Sequence, residues 1–166
     1  MEVFVKRENW DGGIWMKLPA SEEQAEQVLE ELAGYHPSRM IPFIGDVKAP
    51  VAGLAHLLIG EFVFQESNLG QLNYLAAKIG SWSEQERAVF EAVLQNEKPD
   101  SLLRIVEAMD HLDQYECHPE VKSLEQYGHY LFEREGRTLP VELTGYFDYE
   151  AYGRLNMKAS ERLTDE

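Results

Sequence analysis

The sequence predicts an α+β protein made of small units in a row, and three observations predict it. Two short alternating segments flank a glycine-bearing turn at the N-terminus. Serine-led capping sequences open helical patterns at Ser21 and Ser83, and apolar residues keep a helical period through the middle of the chain. A length of 166 residues suits one domain or a few very small ones, and 44% hydrophobic residues can supply a core. The pattern divides into an N-terminal α+β domain over 1–61, a central helical bundle over 62–109 and a C-terminal α+β domain over 110–166.

Residues 3–6 and 14–18 alternate as two strands, and Asn9-Trp10-Asp11-Gly12-Gly13 between them reads as a hairpin turn with glycine at positive φ. Ser21-Glu22-Glu23-Gln24 has capping-box spacing. Ala25, Val28, Leu29 and Leu32 then form one apolar stripe, and Gly34 supplies the stop. Residues 35–60 differ, with three prolines, three glycines and a single acid, Asp46, framing a strand-like run at 40–44 and a short helical or strand run at 54–59. From Ser67 a helix carries Leu69, Leu72, Leu75, Ala76 and Ile79 on one face and closes at Gly80. A second capping box, Ser83-Glu84-Gln85-Glu86, precedes Val89, Phe90 and Val93, and Pro99-Asp100 introduces Leu102, Leu103, Val106 and Met109. In the last third a helix runs from Ser123 to about Arg134. Tyr127, Tyr130, Tyr146, Tyr149 and Tyr152 crowd this end as a wet core or a subunit interface.

Charge narrows the function. Thirty acids and fifteen bases give a net charge of -15, which opposes direct binding to nucleic acid or to an anionic membrane and points to a basic or neutral partner. The acids are spread evenly: nine with five bases over 1–60, nine with four over 61–110 and twelve with six over 111–166. They therefore belong to the surface of a folded body rather than to a tail, a distribution that simple solubility also explains. One cysteine, Cys117, excludes an internal disulfide. The start of the chain lacks the apolar core of a signal peptide, and the run at 51–59 is far shorter than the ~20 residues of a spanning helix, so a cytoplasmic protein is expected.

No nucleotide-binding, zinc-protease or serine-hydrolase signature is present, so no catalytic residue is assigned and the chain is read as a non-enzyme. Asp110, His111, Asp113, Glu116, Cys117 and His118 form the densest polar cluster, but their spacing matches neither a zinc set nor a calcium loop. No metal and no cofactor is expected.

Leu139-Pro140-Val141-Glu142-Leu143, followed by Tyr146-Phe147-Asp148-Tyr149-Glu150-Ala151-Tyr152-Gly153-Arg154, resembles the ArdA antirestriction family. Gly13-Ile14-Trp15-Met16-Lys17-Leu18-Pro19 and Asn68-Leu69-Gly70-Gln71-Leu72-Asn73-Tyr74-Leu75 resemble it less closely in the same order. The resemblance implies three small domains in an elongated row and a homodimer formed through the C-terminal domain. It also implies a surface that imitates bent double-stranded DNA and occupies the DNA groove of a type I restriction-modification enzyme on behalf of a mobile genetic element. Thirty carboxylates per chain would in a dimer equal the phosphates of about 30 base pairs, on the order of 100 Å of duplex.

On this reading the phosphate-mimicking acids are Glu22, Glu23, Glu26, Glu30 and Glu31 on the first helix, then Glu61, Glu66, Glu84, Glu86, Glu91, Asp110, Asp113 and Glu116. Glu22, Glu26 and Glu30 fall at i, i+4 spacing, a rise of ~6 Å per step, on a face without lysine. Tyr146, Tyr149 and Tyr152 are assigned to the dimer interface or the C-terminal core. The alternative is an acidic adaptor that uses the apolar 35–60 segment to bind another basic protein of the same element.

Overall fold

The computed structural model describes residues 1–8, 12–34, 41–65, 67–118, 120–158, 161 and 163. Its class is mixed α+β, and its packing divides the chain into two units, Met1–Tyr115 and Glu116–Glu166.

In the first unit, strands β1 (Glu2–Lys6), β2 (Gly13–Lys17) and β3 (Phe43–Lys48) form an antiparallel sheet in the order β2-β1-β3. Alternation decides its faces, with a register shift opposite Phe4 and Val5 that lets Ile44 and Val47 of β3 share one: Val3, Val5, Met16, Ile44 and Val47 are buried, whereas Trp15, Lys17 and Lys48 remain exposed. On the outer face the Phe4 and Trp15 rings lie 5.1 Å apart, and the Lys48 ammonium sits 3.8 Å from the centre of the Trp15 ring. The hairpin is present with β1 and β2 in register, Phe4 opposite Trp15. Part of its turn, residues 9–11, lies outside the described residues. Gly13 serves a different purpose from the expected one: its φ is not positive, and a Cβ there would stand 2.6 Å from the Val5 carbonyl oxygen.

Helix α1 (Glu22–Ala33) has the expected capping box. The Gln24 amide donates to the Ser21 hydroxyl, and the Gln24 side chain accepts from the Ser21 amide at 2.9 Å. Its buried stripe is Ala25, Val28 and Leu32, with Leu29 half-buried. Gly34 follows without left-handed backbone, at φ -58. The strand expected at 40–44 lies further on, as β3: Pro42 has no N–H to give a ladder, so pairing begins at Phe43. The 54–59 run is a one-turn helix, α2 (Leu54–Leu58), entered through Gly53 at φ 78.

Helices α3 (Asn68–Ser81), α4 (Glu84–Glu97) and α5 (Leu102–Asp110) follow as expected, except that Gly80 lies within α3. Their buried residues join those of the sheet, α1 and α2 in a single cluster that runs from Val3 to Met109. The core is thus continuous across residue 61. Asn73 of α3 further ties the two segments by accepting from the Ala20 amide and donating to the Ala20 carbonyl, each at 2.8 Å.

The second unit corrects one expectation. The sequence predicts an α+β domain over 110–166, but among its described residues this unit contains helices only: α6 (Leu124–Arg134), α7 (Tyr149–Asn156) and a 3-10 helix at Val141–Tyr146. Pro140 cannot donate to a ladder, and the backbone winds into the tighter helix directly after it. Helices α6 and α7 cross where Gly128 meets Gly153. A Cβ on Gly128 would lie 1.9 Å from the Tyr149 carbonyl oxygen, and one on Gly153 would lie 2.2 Å from that of Leu124.

Candidate partner-binding surface

No described acidic residue is buried, so the carboxylates of both units form surface. What separates them is whether they are already engaged inside the chain.

On α1, Glu22, Glu23, Glu26, Glu30 and Glu31 are all exposed, because the stripe of Ala25, Val28 and Leu32 turns the opposite face to water. Among the described residues no cation lies within ion-pair distance of any of the five. Glu22 and Glu23 oppose the positive end of the helix dipole favourably. Glu30 and Glu31 sit at its negative end, where no basic residue occupies the last turn. The charge is therefore held against the helix's own preference, which argues for a use outside the fold.

The other predicted acids divide. Glu84 and Asp113 are exposed and Glu91 half-buried, with no hydrogen-bond or ion-pair partner among the described residues. Glu61 is half-buried, and its carbonyl accepts from the Ile44 amide at 2.9 Å, which fastens it beside β3. Glu66 lies outside the described residues. Glu86 completes the α4 capping box, accepting from the Ser83 amide at 2.7 Å and the Ser83 hydroxyl at 2.8 Å. These two donors hold its carboxyl below the usual glutamate range. Asp110 accepts from the Tyr74 hydroxyl at 2.6 Å, and Glu116 faces the His118 ring at 3.1 Å. All three carboxylates are engaged within the fold, whereas those of α1 are not.

That reading also passed over exposed acids in the second unit. Glu125 and Glu133 stand eight residues apart on α6, and this spacing of just over two turns was the available signal. Others there are neutralised internally, Glu135 by Arg137 at 2.6 Å and Glu150 by Arg154 at 2.5 Å.

The three tyrosines separate as well. Tyr149 stacks on His129 with centroids 3.5 Å apart, and Tyr152 donates to Glu135 at 2.6 Å while its ring packs on Phe132 and Phe147. Both belong to the packing of α6 against α7, whereas Tyr146 is 87% exposed. Among the described residues no three histidine, cysteine or acidic side chains converge to hold a metal ion, and Cys117 is exposed. No helix there is long and apolar enough to cross a membrane.

Residues 11–165 match the sequence profile of the antirestriction protein ArdA, which covers nearly the whole chain. The chain belongs to the ArdA antirestriction family. No curated protein matches it. The family implies an antirestriction function and interaction with restriction-modification enzymes. Its profile includes α1 with its five free glutamates, the sheet residues from Gly13 onward and both helices of the second unit.

Proposed function

We propose that this ArdA-family protein inhibits a type I restriction-modification enzyme as an acidic, non-enzymatic mimic of DNA, and that it acts in the cytoplasm as a homodimer. The observation that carries the reading is the row on α1: Glu22, Glu26 and Glu30, flanked by Glu23 and Glu31, exposed and unpaired among the described residues. A rise of ~6 Å between successive members is close to the spacing of phosphates along one DNA strand, and such a row offers lysines and arginines in a DNA groove the charge they are built to meet. Glu84, Glu91 and Asp113, free in the same sense, extend the set. Pairing is assigned to the C-terminal unit, where large apolar side chains remain exposed; the three small domains of this reading are 1–61, 62–109 and 110–166, the first two sharing one core.

The test is competition. The protein should not bind DNA, and it should displace DNA from a type I methyltransferase complex with an affinity that falls as salt rises. A stable ternary complex of enzyme, DNA and inhibitor would refute occupation of the DNA groove. A specific observation favours the adaptor as a second reading: Ile41, Ile59 and Phe62 are exposed beside β3. Salt-insensitive binding to another basic protein of the same mobile element, lost on Ile59→Ser with Phe62→Ser, would select it.

A further inference from the structure

The second unit has very little interior. Among its described residues the buried apolar side chains are those of Tyr127, Leu131 and Phe132, all from α6, and the buried residue of α7 is Gly153. The glycine crossing explains part of this. Where α6 and α7 approach most closely, backbone meets backbone at Gly128 and Gly153, and no side chain can be added there to enlarge the core. Against this small interior, Val141 is 88% exposed, Leu143 52%, Tyr146 87% and Leu155 84%. The first unit has the opposite balance, with one extensive cluster from Val3 to Met109.

A segment of this size with so small a core is at the limit of independent stability, and units of this kind usually depend on a disulfide, a metal or association. Cys117 is the chain's one cysteine, and no metal-binding group is found among the described residues. Association is left. We infer that folding of the C-terminal unit is coupled to its pairing with a second copy of this chain, so that α6 and α7 are firmly ordered in the dimer and loosen in the monomer. This deepens the pairing read above and rests on it. A unit that needs its apolar side chains covered in order to fold needs a partner present whenever the chain is made, and an identical chain meets that condition where a target enzyme does not. The surface itself agrees: Val141, Leu143, Tyr146 and Leu155 are uncharged, so an isologous contact brings apolar groups together, whereas a basic DNA groove would leave them unmatched. The consequence is regulation by concentration. Dilution removes the acids of α6 and α7 from any ordered surface while leaving α1 and its glutamates on the intact core of the first unit.

The experiment is hydrogen exchange on the full-length chain over a dilution series, with the oligomeric state measured by sedimentation at each concentration. As dimer gives way to monomer, amides of α6 and α7 should exchange about tenfold faster or more, while those of β1 and α3 keep their rates. The double variant Val141→Asp with Leu155→Asp changes exposed side chains only; it should be monomeric at concentrations where the parent pairs and should show the fast exchange throughout. If dimers form but α6 and α7 exchange equally slowly in dimer and monomer, the coupling is overturned and the pairing stands. A chain that is monomeric at every concentration overturns both. A double variant that still pairs with slow exchange removes these side chains from the contact and overturns the inference in this form.

Discussion

The Tyr74 hydroxyl donates to a carboxylate oxygen of Asp110 at 2.6 Å, joining α3 to the end of α5 across 36 positions of sequence. The hydrogen bond to Asp110 raises the Tyr74 pKa above 10.0, with desolvation and the charge of Asp110 adding to it. The folded state thus favours the protonated phenol. The resulting stabilisation is present below pH 10 and is lost as the pH rises through the folded-state value. In an alkaline absorbance titration the Asp110→Asn variant should ionise one tyrosine earlier than the parent. Inhibition should be little changed, because this carboxylate is already engaged within the fold.

The two capping boxes make a matched pair for a pH experiment. In α1 the partner of Ser21 is Gln24, which does not titrate; in α4 the partner of Ser83 is Glu86, held below the usual glutamate range by the Ser83 donors. A depressed carboxyl stabilises the fold above its unfolded pKa, and the effect disappears as the pH falls through the folded value. Glu86→Gln should therefore lower the urea midpoint at pH 7 and make little difference well below pH 4, whereas Gln24→Ala should cost the same at both. Ser83→Ala, which removes the hydroxyl that accepts from the Glu86 amide but leaves the residue-83 amide donating to the Glu86 carboxylate, should cost about 1 kcal/mol at neutral pH.

Alanine substitutions at glycine should diverge sharply by position. At Gly128 the new Cβ would meet the Tyr149 carbonyl oxygen at 1.9 Å, and backbone cannot step aside as a side chain can, so α7 must move. Gly128→Ala should destabilise the C-terminal unit by about 3 kcal/mol or more. Gly70→Ala, inside α3 with nothing within 4 Å of the new atom, should instead stabilise by up to about 1 kcal/mol. Thermal melts monitored separately on the two units distinguish the outcomes.

These positions also show how far the sequence could be read. Helices α1, α3, α4 and α5 were legible because apolar spacing and caps act over three or four residues. The start of β3 was not, because Pro42 and the pairing partner on β1 decide it together. Exposure of an acid was legible from helical phase, as on α1. Whether an acid is free was legible only where its partner is local, as in the Ser83–Glu86 spacing. Nothing near Asp110 in sequence announces Tyr74, and nothing near Gly128 announces the carbonyl of Tyr149, since both relationships are made by tertiary packing. The C-terminal tyrosines were ambiguous for the same reason: identical residue types at 146, 149 and 152 end in solvent, on a histidine and in an aromatic cluster.

The glutamates of α1 allow stability and function to be driven in opposite directions. Glu30 and Glu31 lie at the negative end of the helix dipole, and Glu22, Glu26 and Glu30 repel one another along one face, so each Glu→Gln change at the C-terminal end should leave the isolated protein equally or slightly more stable. In the complex proposed for it, one such change removes a single exposed contact worth about 1 kcal/mol or less, and neighbouring acids still face the same basic groove. Individual variants should accordingly inhibit restriction almost as well as the parent. Neutralising Glu22, Glu23, Glu26, Glu30 and Glu31 together deletes the whole row and should slow association by about tenfold or more, with a flatter salt dependence and an undiminished thermal midpoint. A localised site predicts the reverse pattern, in which one substitution removes most of the inhibition and the remaining four add little. The measurements are association rates at two ionic strengths, inhibition of restriction nuclease activity, and melting of each free variant. If the five-fold variant melts normally and associates as fast as the parent, α1 does not face the enzyme, and the free carboxylates at Glu84, Glu91 and Asp113 become the next set to neutralise.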